Sequence, residues 1–211
     1  MQACNDRVGM MTHCAQNAFC CSLGEETRQR LCEHCMVASF GQGSQYKGNF
    51  KSPQLLLEGA ICVMQNNRPN AIIVPGDFLL VPEFSPSGPY PYAVSEAEEQ
   101  DTYHHQTWHF IVPSKMAFFP SDLVRKLMDA TDFDKALVNS LLRVQTQLSY
   151  YNKALYHSGA YDAVRYGLKL ASVYHLGSLT HEQFALITGR NRTTVTKILH
   201  EIAQKEPGLL V

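Results

Sequence analysis

Residues 181–200, HEQFALITGRNRTTVTKILH, decide how this chain is read. They divide into two short helical stretches about a tight turn. Counting His181 as the first position, Ala185, Gly189, Val195 and Ile198 fall at positions 5, 9, 15 and 18. A small residue lets two helices approach, and glycine takes the left-handed conformation of the turn. Two apolar residues then bury the second helix against the first. Thr180 and Gln183 form a Thr-x-x-Gln capping box that starts the first helix, and Asn191 is a natural N-cap for the second. The pattern predicts a helix-turn-helix. The plain alternative is a helical hairpin with a solvated polar face; cap, glycine and apolar spacing together argue against it.

The second helix opens with Arg192-Thr193-Thr194 and carries Thr196 and Lys197. A recognition helix presents its N-terminal side chains to base edges and nearby phosphates. Arg192 reaches guanine O6 and N7 bidentately, Thr193 or Lys197 adds base contacts, and Thr194 suits a phosphate. Double-stranded DNA is the expected partner.

The 211 residues suffice for one large or two small domains, and 45% are hydrophobic, so a sizeable core forms. The formal net charge of −1 excludes a generally basic nucleic-acid coat. It leaves room for a local patch, which is what DNA docking needs: residues 190–197 contain Arg190, Arg192 and Lys197 and no acid. No apolar run approaches the roughly 18 residues of a membrane span. The N-terminus MQACNDRVGM lacks the basic-then-apolar order of a signal peptide. A cytoplasmic location and no membrane partner are expected. Seven cysteines in such a setting suggest metal binding, redox sensing or buried thiols more than structural disulfides.

Residues 1–36 form a cysteine-rich segment with Cys4, Cys14, Cys20, Cys21, Cys32 and Cys35; Cys62 follows later. Cys32-Glu-His-Cys35 has the spacing with which two thiolates grip one metal ion or close a tight disulfide. Cys14-x5-Cys20-Cys21 can supply further cluster ligands. The candidate metal set is therefore Cys14, Cys20, Cys32, Cys35 and Cys62. Against it, the second CxxC of a zinc site is missing. Residues 24–35 also read as a helix with Leu31 on its apolar edge, which leaves Cys32 and Cys35 as inert thiols on one face.

Residues 37–130 read as an antiparallel β-barrel. Leu55 to Met64 is strand, tight turn, strand; residues 65–70 are a hairpin connection; Ala71 to Val74 is a β-branched run; Pro75-Gly76-Asp77-Phe78 is a turn. Leu79 to Val81 starts another strand, Ser85 to Tyr92 is a Pro- and Gly-rich loop, and Tyr103 to Val112 is the final strand. His104, His105 and His109 cluster there and can bind a metal or haem iron or sense pH, although such histidines are more often surface or cross-strand pairs.

Ser121 is expected to cap a short helix ending at Leu127, and Thr131 or Asp132 a long one over 131–157. Leu137, Leu141, Val144, Leu148, Tyr151 and Leu155 step by 4, 3, 4, 3 and 4 residues. That is an a/d seam of period 3.5, narrower than a globular face, and it predicts a parallel homodimer helix. Residues 157–160, HSGA, are the hinge candidate, and 158–211 the DNA-binding domain with an amphipathic helix over 161–174. Two copies would set their recognition helices roughly 34 Å apart, in successive major grooves of a palindromic operator.

The order barrel, long helix, hinge, helix-turn-helix, with the residues LLLEGAICV, PGDF and LTHEQFALITGRNRTTVTKIL, resembles the Crp/Fnr family of bacterial transcription regulators over about residues 45–205. The resemblance implies an α+β fold: a cyclic-nucleotide-binding-like barrel, a dimerisation helix and a winged-helix-like DNA-binding domain. It implies a non-enzymatic regulator whose effector re-orients the DNA-binding domains, with RNA polymerase as a candidate partner. The family's S-R-E-T-V-x-R stretch becomes Asn191-Arg192-Thr193-Thr194-Val195-Thr196-Lys197. The guanine-reading arginine is kept as Arg192, Thr193 replaces the acid that accepts from cytosine N4, and Lys197 replaces an arginine fork with a point charge. The half-site is therefore expected to depart from the family's TGTGA and TTGAT words. Thr180 and His181 match positions that touch phosphates.

Three departures bear on the effector and the fold. The Gly-Glu and Arg-Ser/Thr pairs that hold cyclic nucleotide are missing from residues 80–100, where Glu96, Glu98 and Glu99 would meet a phosphate; this speaks against cAMP. The wing strands look vestigial, since only EIAQKEPGLLV follows the second helix. The iron–sulfur branch is matched in part, by Cys14-x5-Cys20 and Cys62, but Met11 stands where a further cysteine belongs and that branch's barrel cysteine comes near Trp108. An iron–sulfur cluster or haem remain the candidate cofactors. The rivals are a small organic ligand with inert cysteines and a metal-dependent cupin-like barrel enzyme using the three histidines. The enzyme reading lacks the cupin motif and leaves residues 180–200 unexplained.

Overall fold

The computed structural model describes residues 3–4, 16–47, 52–79 and 106–209. The fold is α+β, with two antiparallel sheets. One sheet has five strands: β1 (Ala3–Cys4), β2 (Met36–Phe40), β9 (Ser114–Phe118), β4 (Gln54–Glu58) and β7 (Phe78–Leu79), in that order. The other has four: β3 (Gln45–Tyr46), β8 (Gln106–Phe110), β5 (Ile61–Gln65) and β6 (Arg68–Ile73). Among the described residues the sheets do not close, so the expected barrel is a two-sheet sandwich. Strand β9 was not expected. It pairs with β2 and β4, both distant in sequence, and Lys115 interrupts its apolar run.

Two of the corners at which the chain passes between sheets, β4 to β5 and β8 to β9, nest. Gly59 occupies the first corner with φ +94°; a Cβ there would lie 2.7 Å from the Pro113 carbonyl oxygen and the Ser114 Cα of the second, and would collide with Ser114 Oγ. The Ile111 N–H donates to the Ala60 carbonyl at 2.9 Å, tying one corner to the other. The β5–β6 hairpin turns on Asn66 and Asn67, at φ 52° and 60°, the paired positive values of a type I′ turn. The connection is thus two residues, not six. Pro69 lies within β6, which is tolerated because β6 is an edge strand.

Alternation along β4 produces two cores. Leu56 faces inward with Ile61, Val63, Ile73, Trp108, Phe110 and Met116, filling the space between the sheets. Phe40 stacks on Phe110 at 4.1 Å in that layer. Leu55 and Leu57 face outward, under helices α1 (Ala18–Cys21), α2 (Glu25–Glu33) and α3 (Ser121–Leu127) and the start of the long helix α4 (Thr131–Tyr156). This two-faced burial explains the unbroken Leu-Leu-Leu run. The residues before α3 and α4, Pro120 and Ala130, are their N-caps, with Ser121 and Thr131 already helical and no side-chain cap bond.

The turn Pro75-Gly76-Asp77-Phe78 fastens the sandwich to α4. Asp77 is buried and accepts from the Val74 N–H at 2.9 Å and from Arg143 Nε at 3.1 Å, and it forms an ion pair with Arg143 Nη2 at 2.8 Å. Ser140 Oγ accepts from the Phe78 N–H at 3.0 Å. Burial raises the Asp77 carboxyl above its usual range, although Val74 and Arg143 oppose this.

The predicted seam on α4 is out of phase. Leu137, Tyr151 and Leu155 are buried in the protomer's own cores, while Val144 and Leu148 are half-buried. The apolar residues presented outward are Val138 (46% exposed), Leu141 (41%) and Leu142 (61%). With Gln145, Leu148 and Asn152 they form a stripe, and the Asn152 Oδ1 is buried with no hydrogen-bond donor. The helix is apolar on two sides because its C-terminal half also carries the rest of the chain.

That remainder is α5 (Ala160–Val173), α6 (His181–Thr188), α7 (Arg192–Lys205) and one 3-10 turn, Pro207–Leu209. They share a core with the outer face of the second sheet through Cys62, Ile72, Tyr151, Leu168, Phe184, Val195 and Ile202. No strand follows α7 among the described residues, so the wing of the winged-helix expectation is missing there. No described helix is long and apolar enough to cross a membrane.

Candidate nucleic-acid interface

The local caps are formed as the spacing predicts. Thr180 Oγ1 accepts from the Gln183 N–H at 3.2 Å, and Gln183 Oε1 accepts from the Thr180 N–H at 2.6 Å. Gly189 sits at φ +61°, and the N–H groups of Gly189 and Arg190 close α6 on the Leu186 and Ala185 carbonyls. Asn191 Oδ1 accepts from the Thr194 N–H at 2.8 Å and starts α7. Val195 and Ile198 are buried and Ala185 is half-buried. Gly167 of α5 lets α6 approach: a Cβ there would meet Thr188 Cγ2 at 3.3 Å.

This packing leaves one polar face of α7 outward. Arg192, Thr193, Thr196 and Lys197 are exposed, and Thr194 is half-buried beside the cap. Thr193, Lys197 and His200 share a face at i, i+4 and i+7. His200 was not among the expected residues, although that spacing marks it. Arg192 Nη1 lies 3.3 Å from Glu182 Oε1; both side chains are more than two-thirds exposed, so the pair is worth little and releases the guanidinium readily. His181 Nδ1 and Thr196 Oγ1 are 2.9 Å apart and link α6 to α7. A groove of about 1060 Å³ runs beside α7, bordered by His175, His181, Thr196, Lys197 and His200. The far end of α7 is held by Glu206, which accepts from Tyr161 and Arg165 at 2.9 Å; Arg165, then Tyr161, hold its carboxyl below the usual range.

Arg190 is elsewhere. Its Nη2 donates to the Leu155 carbonyl at 3.0 Å and to the Ser158 carbonyl at 3.5 Å, at the end of α4. Expected as a DNA contact, it instead satisfies carbonyls that a helix end leaves without partners. Two further bonds to carbonyls dock the unit: Tyr151 donates to the Ile187 carbonyl at 2.5 Å, and Gln183 to the Ile111 carbonyl. Tyr156 donates to the Pro69 carbonyl at 2.9 Å and holds the end of α4 on β6.

The described buried cysteines fall in two separate cores. Cys20 and Cys32 lie in the core beneath α1 and α2, and Cys35 follows α2 with its thiol 3.6 Å from the Cys32 carbonyl. Cys62 lies in the other core, against the C-terminal unit. Among the described residues no three His, Cys, Asp or Glu side chains converge to hold a metal ion. Cys14 and the side chain of Cys4 lie outside the described residues. So do His104 and His105, the acids Glu96, Glu98 and Glu99, and the whole stretch 80–105. His109 pairs across from Cys62, and burial, then Lys47, holds its imidazole below its ordinary pKa.

Burial pushes the Cys62 thiol up to about 12, against a smaller opposing contribution from Tyr151. The thiolate is the nucleophile, so a thiol so placed is inert near neutrality. Cys62 should stay unmodified by iodoacetamide at pH 8 in native protein and be alkylated in denaturant, read by peptide mass mapping. Native alkylation at a free-cysteine rate would overturn its placement. Because the folded pKa is raised, any stability from this neutral thiol is complete below about pH 9 and is lost between pH 9 and pH 12.

No protein-family model matches the sequence, and no curated protein matches it. Solved structures do. A CRP/FNR-family transcriptional regulator from Thermus thermophilus superposes with a TM-score of 0.56 at 16% identity, covering 81% of this chain and 87% of that one. FixK2 from Bradyrhizobium japonicum gives 0.59 at 13% identity, covering 81% and 85%. A cyclic nucleotide-binding domain protein from Listeria monocytogenes gives 0.59 at 12%, covering 82% and 84%. The fold is that of the CRP/FNR regulators. The matches cover some 81–82% of this chain.

Proposed function

We propose that the protein is a cytoplasmic, dimeric, sequence-specific DNA-binding transcription regulator of the CRP/FNR type and not an enzyme. Residues 37–130 are its sensing unit, 131–157 its dimer helix and 158–211 its DNA-binding unit. The observation that carries this reading is the face of α7, where Arg192, Thr193 and Lys197 stand exposed on a helix whose opposite side is buried by Val195 and Ile198. Thr180 and His181 at the start of α6 are the phosphate side of the same surface. The partner is a palindromic operator read by two copies, with RNA polymerase engaged at the promoter.

Selection of genomic fragments by the purified protein, followed by footprinting, tests this. A recurring two-fold-symmetric site is the expected result; no sequence preference with or without reductant would overturn it. Arg192→Ala should then cost about 1–3 kcal/mol of specific binding and relax one position in each half-site. Fluorescence anisotropy on a panel of single-base operator variants measures this. An unchanged preference at every position would remove Arg192 from the base-reading set.

A further inference from the structure

The interior of the sandwich is filled by Phe40, Tyr46, Trp108, Phe110 and Phe118, stacked or edge-on to one another. A second space lies outside it. A cavity of about 180 Å³ opens between β6, α4 and α5, walled by Ile72, Val74, Gln147, Tyr151, Tyr166 and Tyr174. Each side of the molecule contributes: the sheet gives the aliphatic floor, α4 the carboxamide and one ring, and α5 with the residue after it two more rings.

The cavity has one unmet polar demand. Gln147 gives its amide nitrogen to the Tyr174 hydroxyl, while its Oε1 is buried with no donor. Tyr151 has already committed its hydroxyl to the Ile187 carbonyl. An unpaired buried acceptor costs about 1–3 kcal/mol. Most of the wall is apolar; Lys169 and the tyrosine hydroxyls are its other polar groups. The three aromatic rings favour a flat molecule, placed edge-to-face or offset against them. The volume lies below the roughly 300–1,000 Å³ of sites for drug-sized ligands.

We propose that this cavity binds a small planar aromatic molecule bearing one N–H donor, of the size of indole, with the N–H donating to Gln147 Oε1. Such a ligand touches strand β6, the long helix and the C-terminal unit at once. It therefore favours the arrangement in which these three are packed together, as any ligand with differential affinity for two arrangements must. That regulatory consequence rests on the DNA-binding reading; the binding itself does not.

The test is isothermal titration calorimetry of the full-length protein, without DNA, using indole and its oxygen isostere benzofuran, which has the same shape and no donor. Indole is expected to bind one per chain and at least tenfold more tightly than benzofuran. In Gln147→Leu the two should bind within twofold of each other. Val173→Trp, on the exposed rim, should abolish both heats while leaving the melting temperature within a few degrees, and it keeps the proposal testable if Gln147→Leu does not fold. Equal affinities for the two probes, no saturable heat at millimolar indole, or indole binding that survives Val173→Trp would each overturn the proposal. None of these outcomes bears on operator recognition, which the footprinting decides separately.

Discussion

Gly59→Ala should destabilise the protein by roughly 2–6 kcal/mol, combining about 1–3 kcal/mol of backbone strain with about 1–3 of overpacking. The φ of +94° disfavours any L side chain, and the new methyl would meet backbone at 2.7 Å on the Pro113–Ser114 corner. Backbone cannot swing away as a lysine tip would. The corner also carries the Ile111-to-Ala60 hydrogen bond, so moving it disturbs both sheets. The loss is a large share of the 5–15 kcal/mol that holds a typical domain together. Urea denaturation followed by circular dichroism measures it. Gly43→Ala is the control: its φ of +76° carries strain, but nothing lies within 4 Å of the added Cβ. A Gly59 variant no less stable than the Gly43 variant would show that the two corners do not nest.

The second large effect is on association. Leu141→Asp together with Leu142→Asp should convert the proposed dimer to a monomer. Four leucine side chains lose their burial, at about 1.5 kcal/mol or more each, which amounts to a factor of at least about 10⁴ in the dissociation constant. The exposure of both side chains in the single chain means that the monomer fold should survive. Sedimentation equilibrium measures mass, and circular dichroism checks the fold. A dimer persisting at micromolar concentration would place the interface elsewhere. The phase matters: Val138, Leu141, Gln145, Leu148 and Asn152 step by 3, 4, 3 and 4 along α4.

Legibility in the sequence followed the range of the interactions. The α6–turn–α7 unit was readable because Thr180, Gln183, Gly189 and Asn191 act on backbone three or four residues away. The Leu55–Met64 strand pair and the Pro75–Phe78 turn were readable for the same reason. Strand β9 was not, since the partners of Ser114–Phe118 lie some 60 to 80 residues upstream, and the Lys115–Glu58 ion pair that accommodates its charge is visible only once they meet. Tyr151 and Leu155 of the expected seam are apolar for the sake of α6 and α7, which periodicity cannot distinguish from a partner chain. Arg190 looked like a DNA contact because its charge sits among Arg192 and Lys197; its true acceptors, the Leu155 and Ser158 carbonyls, belong to another helix.

Most of the bonds that dock the C-terminal unit share one chemical trait. Gln183, Tyr151 and Arg190 donate to main-chain carbonyls, while the Gln147 amide meets the Tyr174 hydroxyl. Substitution cannot delete a carbonyl, so in those three bonds the acceptor side is indifferent to sequence drift. For them, heritable adjustment of how firmly the unit is held acts through the donors. At about 0.5–1.5 kcal/mol for each bond, losing one moves the balance between docked and released arrangements roughly two- to twelvefold. That step is fine enough to shift a response threshold without abolishing the response. Related chains tuned to different signal levels should differ first at these three donor positions, while the helices they join stay the same.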